Sequence, residues 1–472
     1  MRKFLKSIGS FSIGPIVGAI LSFITVPIIT HFISPTEYGK TSMFLLAQST
    51  ISTVIYLGMD QAFVREFNGF KDKIQKLLLN AMIIPVSLSL FVGIILVVFD
   101  DHISNFLFGV VNEHIAVYAL ALAIPFMIFE NFSLLKIRME EKGLLYSFFT
   151  IFLKTIILIL TILFFLVYEN SFRSVVYATA LGEIFTGILL YFVVLRKYNF
   201  EKELIDKDLQ KQMLKFGLPL VPAFAVGWIL TSMDKLMLRT MCNYEELGLY
   251  SAAFKIVSVL SVLQACFTLY WTPLAYRWYQ EKKSVFRFEI VGKVVSILMI
   301  TVCMGVLLLK ELVALILGYD FRNAIMIFPF LLLYPVLYTL SEITGLGIGF
   351  KRKTIYTLLV TSVSAIVNVA LNWYLIPIFK GKGAAIATGI SYVVFFWLRT
   401  IISRRLWYKF RINIYFVTNI IVIFNCAVHT FMQGYVPYLI TLFTLLVMAV
   451  YLIIYFSKNN LTGRIKSGEL FK

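Results

Sequence analysis

Long apolar runs separated by short charged segments set the first expectation for this chain. Runs of about 18 or more apolar residues recur from end to end, each long enough to cross a hydrocarbon core of about 30 Å as a helix. They are continuous rather than alternating, so the pattern predicts helices and not the strands of a membrane barrel. About 14 spans are expected, at residues 8–30, 42–59, 77–99, 115–135, 145–167, 174–195, 215–234, 247–273, 290–309, 324–349, 355–377, 384–402, 412–430 and 437–456. The opening MRKFLKSIGSFSIGPIVGAILSFITVPIIT has basic residues before an apolar run, as a signal peptide does. The run is too long for one and no small-x-small cleavage site follows, so it is read as the first span.

Composition supports an all-α polytopic membrane protein. The chain is 60% hydrophobic and only 14% charged, with a mean hydropathy of +0.87, whereas average globular chains are about 25% charged. A net charge of +18 invites a nucleic-acid partner, and the placement of the charges removes it. If the N-terminus starts inside, that side collects about 32 Lys and Arg against about 8 on the other, which puts both termini in the cytoplasm. The four cysteines, Cys242, Cys266, Cys303 and Cys426, show no metal or redox spacing and are read as free thiols. The four histidines fall on or near the outer side and are read as interfacial.

The stretch SPTEYGKT, 34–41, ends like a phosphate-binding loop. That loop needs glycine where Ser34 stands, and the following Pro35 has no N–H to offer a phosphate. The stretch instead belongs to a repeat. SPTEYG returns as NYEELG at 243–248, with Gly39 over Gly248 and Glu37 over Glu246 at a spacing of 209. Tyr146 lies over Tyr356 at 210, and Ala178-Thr179 over Ala387-Thr388 at 209. Three matches at one offset predict a duplication of six spans. An even number inserts both copies with the same orientation, as parallel repeats about an axis along the membrane normal. The expected organisation is a six-helix bundle at 1–195, a cytoplasmic linker at 196–214, a second six-helix bundle at 215–404, and two appended helices with a cytoplasmic tail at 405–472. The linker carries Asp206-Lys207-Asp208, the Asp-x-Asp form that glycosyltransferases use to hold a metal. No catalytic domain fits in so short a loop, and a solvated linker is expected.

At TSMDKLMLRTMCNYEELGLYSAAFKI, 231–256, the chain resembles the polysaccharide-export (O-antigen and capsule repeat-unit) branch of the multidrug/oligosaccharidyl-lipid/polysaccharide flippase superfamily. Asp234-Lys235, the turn with Glu245, Glu246 and Gly248, and YSAAFK carry the resemblance, and SPTEYG looks like the same family's opening hinge. It implies two six-helix bundles around a central cavity, working by alternating access without ATP in a bacterial plasma membrane. The implied cargo is an undecaprenyl-diphosphate-linked oligosaccharide. Membrane lipids, the polysaccharide polymerase machinery and a coupling ion (proton or sodium) are further implied partners. No catalytic residue, cofactor or metal is expected. A multidrug antiporter, a peptidoglycan-precursor flippase, and a membrane polymerase or ligase of lipid-linked sugars are the alternatives.

Ionisable groups in mid-bilayer cost about 2.5–3.5 kcal/mol each, which makes each a functional candidate. Lys154, Lys255, Lys235 and Arg239 are expected along a cationic substrate path, because a diphosphate needs its charge offset in a low-dielectric region. Asp234, Glu183, Glu130 and Glu342 are expected to couple an ion or to pair with cations, for example Lys154 with Glu183. Pro15 and Pro27 in span 1, and Pro219 and Pro222 in span 7, are expected to kink the first helix of each repeat.

Overall fold

The computed structural model describes residues 2–198 and 201–458, so the tail expected beyond 458 and two linker residues lie outside the described residues. The described residues form helices and turns, with no strand among them. Nine helices follow the expected spans: α1 (Arg2–Phe32), α2 (Pro35–Ile55), α3 (Ile74–Val98), α4 (His114–Met139), α5 (Gly143–Val167), α6 (Phe172–Leu190), α7 (Val221–Met241), α8 (Tyr244–Gln280) and α9 (Val285–Leu308). The tenth, α10, is a broken run of Phe328–Leu331, Leu333–Thr344 and Leu346–Phe350, bent by 57° from the turn before it. A 52-residue run, Ile355–Leu406, turns at Lys380, which adopts φ 52° and ψ −128°. It divides there into α11 (355–379) and α12 (381–406), and α13 (Asn413–Phe431) and α14 (Val436–Lys458) follow.

Ten stretches among the described residues are long and apolar enough to span a membrane, and the bent run makes eleven. Dividing the long run at Lys380 and adding the more polar α2 and the short apolar stretch in α14 restores the expected set of about 14.

Two compact units result, Met1–Val262 and Leu263–Lys472. In the first, α1 packs along α5, α4 lies between α3 and α6, and α2 touches both α6 and α7. In the second, α9 packs on α10, α13 and α14, and α10 packs on α12.

Several local outcomes differ from the reading of the sequence. Residues 59–66, expected beyond the second span, form a short helix because Met59, Ala62 and Phe63 share one face and are buried. The charged linker contains a helix, Lys207–Gly217, whose Leu209, Met213 and Gly217 fall on one buried face. Asp206 caps it by accepting from the N–H groups of Asp208 and Leu209, at 3.0 Å each. Pro15 and Pro27 sit inside the unbroken α1. Pro219 and Pro222 do not lie deep in a helix: Pro219 is in a 3₁₀ turn, Leu218–Leu220, and Pro222 is in the first turn of α7. A proline there removes no helical hydrogen bond, so the two pairs are not matching interior kinks.

The duplication is visible in local geometry. Ser34 Oγ accepts from Glu37 N at 3.4 Å, and Asn243 Oδ1 accepts from Glu246 N at 2.9 Å, so equivalent residues cap α2 and α8. Glu141 and Arg352 both take left-handed backbone angles, φ 59° and 56°. Each closes the same turn, with Lys142 N bonded to Ile137 O at 3.1 Å and Lys353 N to Ile348 O at 3.0 Å.

Candidate functional site

The two copies of the hinge meet within the first unit. A Cβ on Gly39 would run into the carbonyl of Tyr244, and one on Gly248 into the carbonyl of Pro35. At the spacing of 209, Pro35 is the counterpart of Tyr244 and Gly39 of Gly248. Each glycine therefore rests on the first residue of the other copy's helix, a reciprocal contact that any side chain would break. Glu37 braces this hinge, accepting from Phe172 N at 2.9 Å and pairing with Lys40 at 2.8 Å.

Behind the hinge lies a cavity of about 150 Å³ between α1, α2, α5, α6 and the start of α8. Its walls follow helical spacing: Ser22, Thr25 and Ile29 on α1, and Thr41 and Gln48 on α2. The hydroxyls of Thr25, Thr161 and Thr179 donate to carbonyls four residues earlier, each at 2.7 Å, so the walls are polar yet internally satisfied.

Three residues of the charged types reach this space, Lys154, Lys255 and Glu183. Lys154 stands near the middle of α5, about 17 Å from either end at 1.5 Å per residue. Its stem runs along Gly18, where an added Cβ would sit in ordinary contact with Cγ at 3.7 Å. Lys255 projects from the third turn of α8 and is exposed within the cavity. Glu183 is buried on α6 and lies beside the carboxyl of Glu130 on α4. Lys154 and Tyr56 are the charged or titratable neighbours of this pair. Lys154 forms no ion pair with Glu183 among the described residues, so the lock considered from sequence is not formed. Two lysines against one buried glutamate leave the cavity with an excess of positive charge, which suits an anion.

The other expected residues lie elsewhere. Asp234, 1% exposed, accepts a hydrogen bond from Tyr250 Oη at 2.6 Å. Lys235 lies over the Phe254 ring at 5.4 Å, and Arg239 over the Tyr244 ring at 4.3 Å. Arg239 thereby supports the second hinge. Glu342 belongs to the second unit, where Arg399 Nη1 reaches its Oε1 at 2.7 Å. The sequence reading passed over Gln48 and the wall threonines, which carry no charge. Their recurrence every three or four residues inside apolar runs is the signal that marks them.

Residues 4–274 match the family described as polysaccharide biosynthesis protein. A protein of the Lsg locus of Haemophilus influenzae is 22% identical over 289 residues, which is 60% of this chain and 69% of that protein. Among solved structures, the lipid II flippase MurJ in an inward closed conformation superposes with a TM-score of 0.73 at 14% identity. That match covers 95% of this chain and 99% of MurJ. An inward-facing multidrug-resistance transporter of the MATE family gives a TM-score of 0.60 at 15% identity, covering 82% of this chain and 94% of that one. At such identities the likeness is one of fold.

Proposed function

Because the chain belongs to the polysaccharide biosynthesis protein family, we propose that it is a flippase for undecaprenyl-diphosphate-linked oligosaccharide repeat units. It moves them from the inner to the outer leaflet of a bacterial plasma membrane for assembly of capsule, O-antigen or exopolysaccharide. Both termini face the cytoplasm, and movement proceeds by alternating access without ATP. Lys154 and Lys255 offset the diphosphate charge as it crosses, and the carboxyl pair of Glu130 and Glu183 carries the coupling proton.

The observation that supports this reading best is the convergence of Lys154 and Lys255 on one polar-walled cavity at mid-helix depth. Two ammonium groups lining one cavity repel each other unless an anion lies between them, and a diphosphate supplies that anion. An organic-cation antiporter on the same fold calls for acids without lysines beside them, so this cavity disfavours it.

The test is accumulation of lipid-linked oligosaccharide, by leaflet, in a strain lacking this protein. Cytoplasmic-leaflet accumulation relieved by the wild-type chain is the expected result. Normal leaflet distribution together with altered sensitivity to cationic drugs would overturn the proposal in favour of an antiporter.

A further inference from the structure

A second cavity, of about 450 Å³, lies in the Leu263–Lys472 unit beside the turn that joins α8 to α9. Trp271, Arg277, Trp278, Lys283 and Arg287 are among its lining residues. The walls are a built aromatic frame: Trp271 meets Trp278 edge to face at 5.7 Å, and Phe267 stacks on Trp271 at 6.1 Å. Arg287 is held over the Trp278 ring at 5.9 Å. The cations outnumber the acids, since the lining carboxylate, Glu281, is only loosely engaged by Lys283, at 3.6 Å. The Arg277 guanidinium has no ion pair or side-chain hydrogen bond among the described residues. Trp271 is 2% exposed, yet its Nε1 has no acceptor among the described residues.

We infer that this cavity binds the phosphate of an anionic phospholipid headgroup from the adjoining leaflet. The turn stands at the end of two spanning helices, the level where headgroups lie and where Trp and Tyr concentrate. Basic pockets between spanning helices recognise such headgroups, and an arginine fork matches phosphate oxygens in pairs. A donor left open on Trp271 and a free guanidinium on Arg277 are the groups that a phosphate completes. In the orientation proposed above the leaflet is the cytoplasmic one. The site is separate from the cavity holding Lys154 and Lys255 and does not depend on what that cavity carries.

The experiment uses the full chain in detergent micelles, with bound lipid counted by native mass spectrometry. Phosphatidylglycerol is set against phosphatidylcholine of the same acyl chains. Wild type is expected to retain phosphatidylglycerol about tenfold more tightly, at roughly a few-fold per cation near the surface. Arg277→Gln with Arg287→Gln should abolish the preference. Arg277→Gln alone, an exposed change at a helix end that leaves the fold intact, should reduce it. Lys351→Gln with Arg352→Gln, an equal charge loss in another loop, should leave it unchanged. Equal retention of the two lipids by wild type overturns the inference, as does an equal loss in the Lys351/Arg352 control. Displacement of the lipid by soluble pyrophosphate would assign the pocket to free phosphates, and displacement by undecaprenyl diphosphate at equal concentration would assign it to the cargo. Either result would overturn the phospholipid assignment.

Discussion

Gly39→Ala and Gly248→Ala test whether the reciprocal hinge contact holds one side of the first unit shut. A Cβ on Gly39 stands 2.8 Å from the carbonyl carbon of Tyr244 and 3.1 Å from its Cα. On Gly248 it stands 2.7 Å from the carbonyl carbon of Pro35 and 3.1 Å from Gly39 N. Ordinary contact begins near 3.4 Å, and these neighbours are backbone atoms with no rotamer to escape into. The carbonyl oxygens lie closer still, so the two turns must part by about an ångström or more, an overpacking cost of about 2–3 kcal/mol. Alanine returns about 0.5–1 kcal/mol through helix propensity. The net, about 1–2 kcal/mol, moves a closed-to-open equilibrium by roughly 5- to 30-fold. Thr41→Cys on the cavity wall, in a chain whose four native cysteines are replaced by alanine, reports that opening through labelling by a membrane-impermeant maleimide. Labelling should accelerate by that factor in each variant, and the double variant should fall short of the product because both changes release one contact. Unchanged labelling with raised thermal stability would mean that propensity alone acts and that the contact closes nothing.

Three further outcomes follow from the same geometry. Glu130→Gln or Glu183→Gln keeps the size and polarity of the side chain but removes a carboxyl proposed to carry the proton. Translocation in proteoliposomes should then lose its response to an imposed pH gradient, and a retained response would exclude the pair as the proton carrier. Glu342→Gln strips Arg399 of its charge partner, in a pair whose side chains are only 12% and 17% exposed. Loss of a buried partner costs about 3–5 kcal/mol, so a fall of less than about 1 kcal/mol in unfolding free energy would show that water already serves Arg399. Asp206, outside the membrane, is held below the usual carboxylate range by its hydrogen bond from Lys76 and by the backbone N–H groups it caps. Its contribution is fully present above about pH 4 and is lost as pH falls through its lowered value. Protection of the Asp208 and Leu209 amides, measured against their intrinsic exchange, should fall over that acid range, and Asp206→Ala should remove that fall.

The spans were readable because bilayer-crossing helices need unbroken apolar runs, and those runs stand out against short charged loops. The repeat was readable because the capping residues Ser34 and Asn243 and the contact glycines Gly39 and Gly248 perform the same task twice. Lys154 and Lys255 stood out by the cost of burying charge, and both line one cavity. Residues that act through neighbours were harder to read. No spacing joins Glu130 to Glu183, since they sit on different helices and meet only through packing. The helix at Met59–Glu66 was lost among its charges, because three buried positions decide it. The break at Lys380, by contrast, falls between two expected spans, 355–377 and 384–402, where Pro377, Gly381, Lys382 and Gly383 interrupt the apolar run.

The most direct test of the account is translocation by the purified chain in proteoliposomes loaded with fluorescent undecaprenyl-diphosphate oligosaccharide, scored by leaflet. Wild type should move the cargo, and Lys154→Gln and Lys255→Gln should each slow it by about tenfold or more while the protein stays folded. That factor corresponds to losing one charge-assisted phosphate contact of about 1.5–3 kcal/mol. Cargo that stays in its starting leaflet with wild type, or that moves equally fast in both lysine variants, would contradict the account.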